Sequence, residues 1–293
     1  MNITYEDQAK ERLDKFLVAQ LPNTSRSQLQ KMIKDGVILL NGETTAVHTF
    51  LKPGDQIVVG QALKTEQTII EPTVIAETPN YLILNKPAGL VVYATDVKNY
   101  TLIDWLKKNY PKLKAVGEEE QPYGLVHRLD KEVSGVLVIA KTQKFWENLK
   151  YQFADHTIYK EYLGFANGAF PDKAGVIDLP LIRTKAGIIG AVAKNQEGKD
   201  AITEYEVIEQ YKDYTLLKII IKTGRTHQIR AHLKAFNHPL VGDKLYNSKD
   251  KLLSGRVFLH AAKLSFTDPK GEIVTFTAPL PEELQTIVDR FKK

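Results

Sequence analysis

The chain has 293 residues, of which 43% are apolar and 26% charged, with a formal net charge of +5 and no cysteine. That length suits one large domain or two smaller ones with a real core, and the missing cysteines exclude disulfides and Cys-ligated zinc or iron–sulfur centres. No apolar run approaches the ~20 residues of a membrane helix, and residues 1–7 lack a secretion signal, so a cytoplasmic protein with no membrane partner is expected. Residues 1–71 carry 8 Lys/Arg against 9 Asp/Glu, and residues 72–293 carry 32 against 26. The positive excess therefore lies in the larger part, and a basic surface favours polyanions.

In chain order, residues 10–20 place Leu13, Phe16 and Leu17 at helical spacing, and Pro22 ends that helix. A second helix follows the cap-like Thr24-Ser25, with Leu29, Met32 and Ile33 on one face and Gly36 as its stop. Residues 37–40 form a strand that runs into Asn41-Gly42, a hairpin turn signal. Lys52-Pro53-Gly54-Asp55 turns the chain again before a strand over residues 56–59. Residues 10–60 are thus a compact module. Its second helix opens on Arg26 and Ser27, with Lys31 further along, and so offers cations, a hydroxyl and free backbone N–H groups to a phosphate. Residues 61–72, polar and closed by Pro72, read as a linker.

Residues 73–293 form the second unit. Residues 81–84 read as a strand, and the turn after it presents Lys86 beside Pro87 and Gly89, a candidate phosphate contact. Residues 101–110 and 143–153 are helical in pattern. Residues 136–140 are a continuous apolar run, the mark of a buried strand. Residues 159–168 are strand-like, 202–209 and 214–222 make a hairpin around Lys212-Asp213, strands follow at 257–260 and 273–277, and a helix from Glu282 closes the chain. Strands outnumber helices without βαβ alternation, so an α+β unit with a mainly antiparallel sheet is expected.

The chemically dense stretch is His127-Arg128-Leu129-Asp130-x-x-x-Ser134-Gly135, directly before the buried strand. In an extended segment Arg128 and Asp130 point the same way and could face one cleft. Lys160-x-Tyr162 and Gly224-Arg225-Thr226-His227-Gln228-Ile229-Arg230-x-His232 follow, then His238-Pro239-x-x-Gly242-Asp243. The seven histidines show no paired metal-ligand spacing, so neither metal nor cofactor is expected.

The first module resembles the S4 RNA-binding domain, through Ser25-Arg26-Ser27, Lys31, Lys34, Gly36, Asn41-Gly42 and Gly54-Asp55. The motifs of the larger unit resemble the pseudouridine synthases, in the branch that modifies large-subunit ribosomal RNA and some transfer RNA. Val133, Gly164, Ala166 and Tyr93 depart from that family's usual residues, and none carries the chemistry. The resemblance implies Asp130 as the essential carboxylate, Tyr162 as the lining of the base pocket and Arg225 as the partner of the aspartate. Arg128 becomes the candidate to fill the stack vacated by a flipped uridine, and Arg230 joins the RNA-contact candidates. His127 and His227 are assigned structural hydrogen bonds. The implied reaction breaks the N1–C1′ bond of uridine and rejoins the base through C5, and an aspartate could serve by attack or by deprotonation. A monomer acting on 23S ribosomal RNA is expected. The alternatives are a synthase acting on transfer RNA, a non-catalytic RNA-binding or ribosome-assembly protein, and a hydrolase, which lacks the second carboxylate it would need.

Overall fold

The computed structural model describes residues 1–22, 24–60, 69–93, 100–119, 121–246 and 252–292. Residues 61–68 of the expected linker lie outside them. The chain divides into two compact units, Met1–Thr68 and Ile69–Lys293.

The first unit contains β1 (Asn2–Thr4), α1 (Leu13–Gln20), α2 (Arg26–Lys34), β2 (Ile38–Leu40) and β3 (Gln56–Val59). The strands form an antiparallel sheet in the order β1-β3-β2. Leu13 and Leu17 of α1 bury against Leu29 and Ile33 of α2 and Ile38 and Ile57 of the sheet, as a 3.6-residue period requires. Asn41 and Gly42 adopt φ of 54° and 83° and close a tight turn in which Leu40 and Glu43 exchange backbone hydrogen bonds of 2.9 and 3.0 Å. The returning arm is a single bridge, and the true partner of β2 is β3.

The wholly buried Asp14 organises the two helices. It accepts from Arg12 at 3.0 Å, from Arg26 at 2.9 and 3.1 Å and from Gln30 at 2.8 Å. Burial alone would raise its pKa, but these hydrogen bonds win and hold the carboxyl far below its usual range. Arg26 is therefore half-exposed and engaged in an ion pair, whereas Ser27 and Lys31 are exposed on the same helix.

The second unit begins with β4 (Thr73–Glu77), β5 (Tyr81–Lys86), α3 (Leu102–Asn109), β6 (Ser134–Ala140), α4 (Gln143–Ala154) and β7 (Tyr159–Asn167). It continues with β8 (Ala174–Asp178), β9 (Leu181–Arg183), β10 (Ile189–Ala191), β11 (Ile202–Gln210), β12 (Tyr214–Ile221), α5 (Gln228–Ala235), β13 (Leu259–Thr267), β14 (Ile273–Thr277) and α6 (Glu282–Phe291). One sheet runs β4-β5-β6-β13-β7-β12-β11-β8, with β14 beside β13. Every pairing in it is antiparallel except β6 with β13, so the unit is α+β with a mainly antiparallel sheet. β13 starts later than the sequence pattern indicates. Val257 and Phe258 are wholly buried, but they lie before the strand, where the Phe258 N–H donates to Val241. The short β4, β8, β9 and β10 carry no periodicity strong enough to announce them.

The parallel step places the site. β6 crosses β13 at Gly135, whose φ is +122°, and a Cβ there would lie 2.2 Å from the Ala261 carbonyl oxygen. Only glycine fits. The loop carrying Asp130 thus emerges from the centre of the sheet, one strand away from β7, which bears Tyr162, with β13 between them.

Candidate active site

The loop before β6 alternates outward and inward. Arg128 is exposed, Leu129 is in the core and Asp130 is partly exposed. Leu129 anchors the segment so that its neighbours project into solvent and cleft. Lys86 sits beneath this loop and is wholly buried, donating to the carbonyl oxygens of Pro87, Leu90 and Lys131 at 3.0, 2.9 and 3.3 Å. It is not an RNA contact. Burial lowers its pKa to about 7, and its work is to tie the turn after β5 to the Asp130 loop.

Tyr162 of β7, Asp130 and Arg225 line one small cavity of about 70 Å³. The tyrosine is buried, and burial followed by the nearby Asp130 charge raises its pKa far above the usual value, so its hydroxyl stays protonated. Arg225 belongs to the loop between β12 and α5. That loop is shaped by Gln228, whose side-chain oxygen accepts from the Arg225 N–H at 3.1 Å and from the Thr223 hydroxyl at 2.7 Å.

Arg225 reaches the cavity but does not pair with Asp130. Its Nε donates to the Asp200 carbonyl at 3.1 Å. The cation beside Asp130 is Arg230, with Nη1 at 3.4 Å. Arg230 is itself buried and forked onto Asp243, at 2.7 and 2.8 Å, and it reaches Glu132 at 3.2 Å. Burial opposes its charge, but Asp243, then Asp130 and Glu132, outweigh that and raise its pKa. An RNA-facing role for Arg230 is therefore corrected to an internal one. The reason is the start of α5: Arg225 precedes the helix, and Arg230 lies in its first turn on the buried side.

The sequence profile of RNA pseudouridylate synthase matches residues 80–235, and that of the S4 domain matches residues 11–57. The uncharacterized RNA pseudouridine synthase YlyB of Bacillus subtilis (strain 168) is 34% identical, over 98% of this chain and 96% of its own. Ribosomal large subunit pseudouridine synthase D of Neisseria meningitidis (serogroup A, serotype 4A, strain Z2491) is 35% identical, over 93% of this chain and 76% of its own. The chain belongs to the RNA pseudouridine synthase family. It is an isomerase carrying an S4 domain. The solved human RNA pseudouridylate synthase domain containing 4 shares the fold, with a TM-score of 0.60 at 24% identity over 75% of this chain and 92% of that one.

Around Asp130, the sequence pattern did not reveal the tasks of Asp243 and Tyr246. Asp243 has no exposed side-chain surface, and it also accepts from the N–H groups of Leu245 and Tyr246, both at 3.1 Å. The Arg230 guanidinium lies over the Tyr246 ring at 5.4 Å. The motif His238-Pro239-x-x-Gly242-Asp243 marked the position of the carboxylate, but not its partner thirteen residues earlier. His227 adopts a left-handed backbone at φ 52°, with Nε2 3.7 Å from Asp130 and Nδ1 3.3 Å from the Tyr246 hydroxyl. Burial lowers its pKa, partly offset by Asp130.

His127 holds the base of the loop. Its Nε2 accepts from the Val138 N–H at 3.1 Å and its ring stacks on Phe153. Burial, then Lys160, pushes its pKa down to about 3. The unfolded chain, with a histidine pKa near ~6.5, binds the extra proton between those values. Stability is therefore present above pH ~6.5 and is lost as the pH falls towards 3, by a few kcal/mol from this residue. Urea unfolding at pH 7 and pH 4.5 measures it. His127→Gln, which keeps an acceptor but cannot titrate, should reduce the difference; an unchanged difference would assign the acid sensitivity elsewhere.

Proposed function

We propose that this synthase converts uridine to pseudouridine in 23S ribosomal RNA, with Asp130 as its catalytic carboxylate, working as a cytoplasmic monomer. The observation that carries the reading is Asp130 itself. Its carboxylate is partly exposed, is held beside the buried Arg230 cation and opens on a cavity that Tyr162 also lines. The ribosomal substrate rests on relatives such as the Neisseria large-subunit enzyme.

In the reaction the N1–C1′ bond breaks, a C5–C1′ bond forms, C5 gives up a proton and N1 ends with one, so no oxidant or energy source is required. Asp130 acts on the flipped nucleotide, and Arg230 compensates its charge within a partly dry site. Tyr162, kept neutral, packs the detached uracil and excludes water that would otherwise capture the sugar. Arg128 is exposed on the cavity rim and makes no ion pair or hydrogen bond with any described residue, which leaves it available to fill the vacated stack. Ser27 and Lys31 of the S4 unit are the candidate RNA contacts there, with Arg26 contributing from its pair with Asp14.

The test is release of tritium to water from RNA labelled at uridine C5. Naked 23S RNA should release it in proportion to the pseudouridine formed, and carbodiimide mapping then locates the uridine. Release from transfer RNA alone would move the substrate, and no release from either RNA or from ribosomal particles would overturn the catalytic reading.

A further inference from the structure

The reaction cavity is small, about 70 Å³. Next to it lies a far larger one of about 730 Å³, well within the ~300–1,000 Å³ of ligand sites. The two share Gly224 and Arg225 as walls. The large cavity has an aliphatic floor of Leu181, Ile182 and Ile189 from β9 and β10. Its rim carries Arg183 and Lys199, both exposed and neither in an ion pair with a described residue. Arg183 spends one donor on the Gly187 carbonyl and keeps the rest.

Resting on the function proposed above, we propose that this cavity is a second nucleotide subsite, receiving the unstacked base that neighbours the target uridine in the RNA strand. A phosphate alone would not call for an aliphatic floor, and a water-filled cleft would not place unpaired cations at its edge. A base on the floor with its phosphate at Arg183 and Lys199 uses both features. Glu197 on the lining is an acceptor suited to an exocyclic amine of that base. Arg225, held by the Asp200 carbonyl, is the partition between the two bases. The substrate is then a loop or single strand in which two consecutive bases leave the stack.

The experiment uses the RNA stem-loop around the uridine located by tritium release, with 2-aminopurine at the 5′ neighbour in one version and at the 3′ neighbour in another. Each is bound to full-length Asp130→Asn protein. Emission at one of the two positions should rise about threefold or more, since an unstacked base on an aliphatic floor is no longer quenched by neighbouring bases. Adding Ile189→Asp should abolish the rise and weaken binding about tenfold. Adding Lys199→Glu, at an exposed position that cannot threaten the fold, should weaken binding similarly. Unchanged emission at both neighbours would overturn the subsite, even if Lys199→Glu weakens binding, because the cavity would then hold a phosphate only. A wild-type protein that releases no tritium from any RNA would instead overturn the proposed function, so the two failures are distinguishable.

Discussion

Asp130→Asn is expected to abolish tritium release while leaving the fold intact. The side chain is partly exposed and its contact with Arg230 is long, 3.4 Å, and an asparagine oxygen can still accept from that guanidinium. The stability change should therefore stay within ~1 kcal/mol, as for substitutions that empty no core and strand no buried charge. The size of the kinetic loss separates the two chemistries open to the carboxylate. Proton transfer is typically worth about 10²–10⁴-fold, whereas removing a covalent nucleophile has cost on the order of 10⁶-fold elsewhere. Single-turnover release, measured against the background of RNA alone, reads this directly. A loss of less than about tenfold would remove Asp130 from the chemistry.

Arg230→Met should have the largest effect on stability. It leaves the Asp243 carboxyl without solvent exposure and with its forked partner gone. Breaking a buried pair from one side costs ~3–5 kcal/mol, which lowers the thermal midpoint of a unit of this size by about 10 °C. The double variant Arg230→Met/Asp243→Asn removes the stranded charge and keeps an acceptor for the Leu245 and Tyr246 N–H groups, so most of the stability should return. Activity should not return. Asp130 still lacks its cation, and loss of one such stabilising group costs ~10²–10³-fold. If the double variant regained tritium release along with its midpoint, Arg230 would be a structural residue only.

These two experiments turn on a contact spanning one hundred residues, from Asp130 to Arg230, and no local pattern reports such a contact. Arg225 and Arg230 lie five residues apart in one motif. Sequence order cannot say which guanidinium faces the aspartate; the placement of the α5 N-terminus against the sheet decides it. Lys86 is a similar case. A lysine beside proline and glycine reads as an exposed turn cation, yet the turn folds over it and three carbonyls converge on its ammonium.

What the chain's own residues determined was local and periodic. Leu13, Leu17, Leu29 and Ile33 announced two packed helices, residues 136–140 a buried strand, Asn41-Gly42 a turn, and the His127–Gly135 stretch the family. Backbone preference and the burial of one face are short-range properties, so they are written in short stretches. Tertiary structure alone decided the partner of Asp130, the burial of Lys86, the task of Asp243 and the large cavity beside the site. The contact of Asp130 with Arg230 depends on the order β6-β13-β7-β12, which brings segments far apart in the chain to one edge of one cleft. That order is fixed by how whole faces bury together, as in the crossing at Gly135, and not by any single stretch.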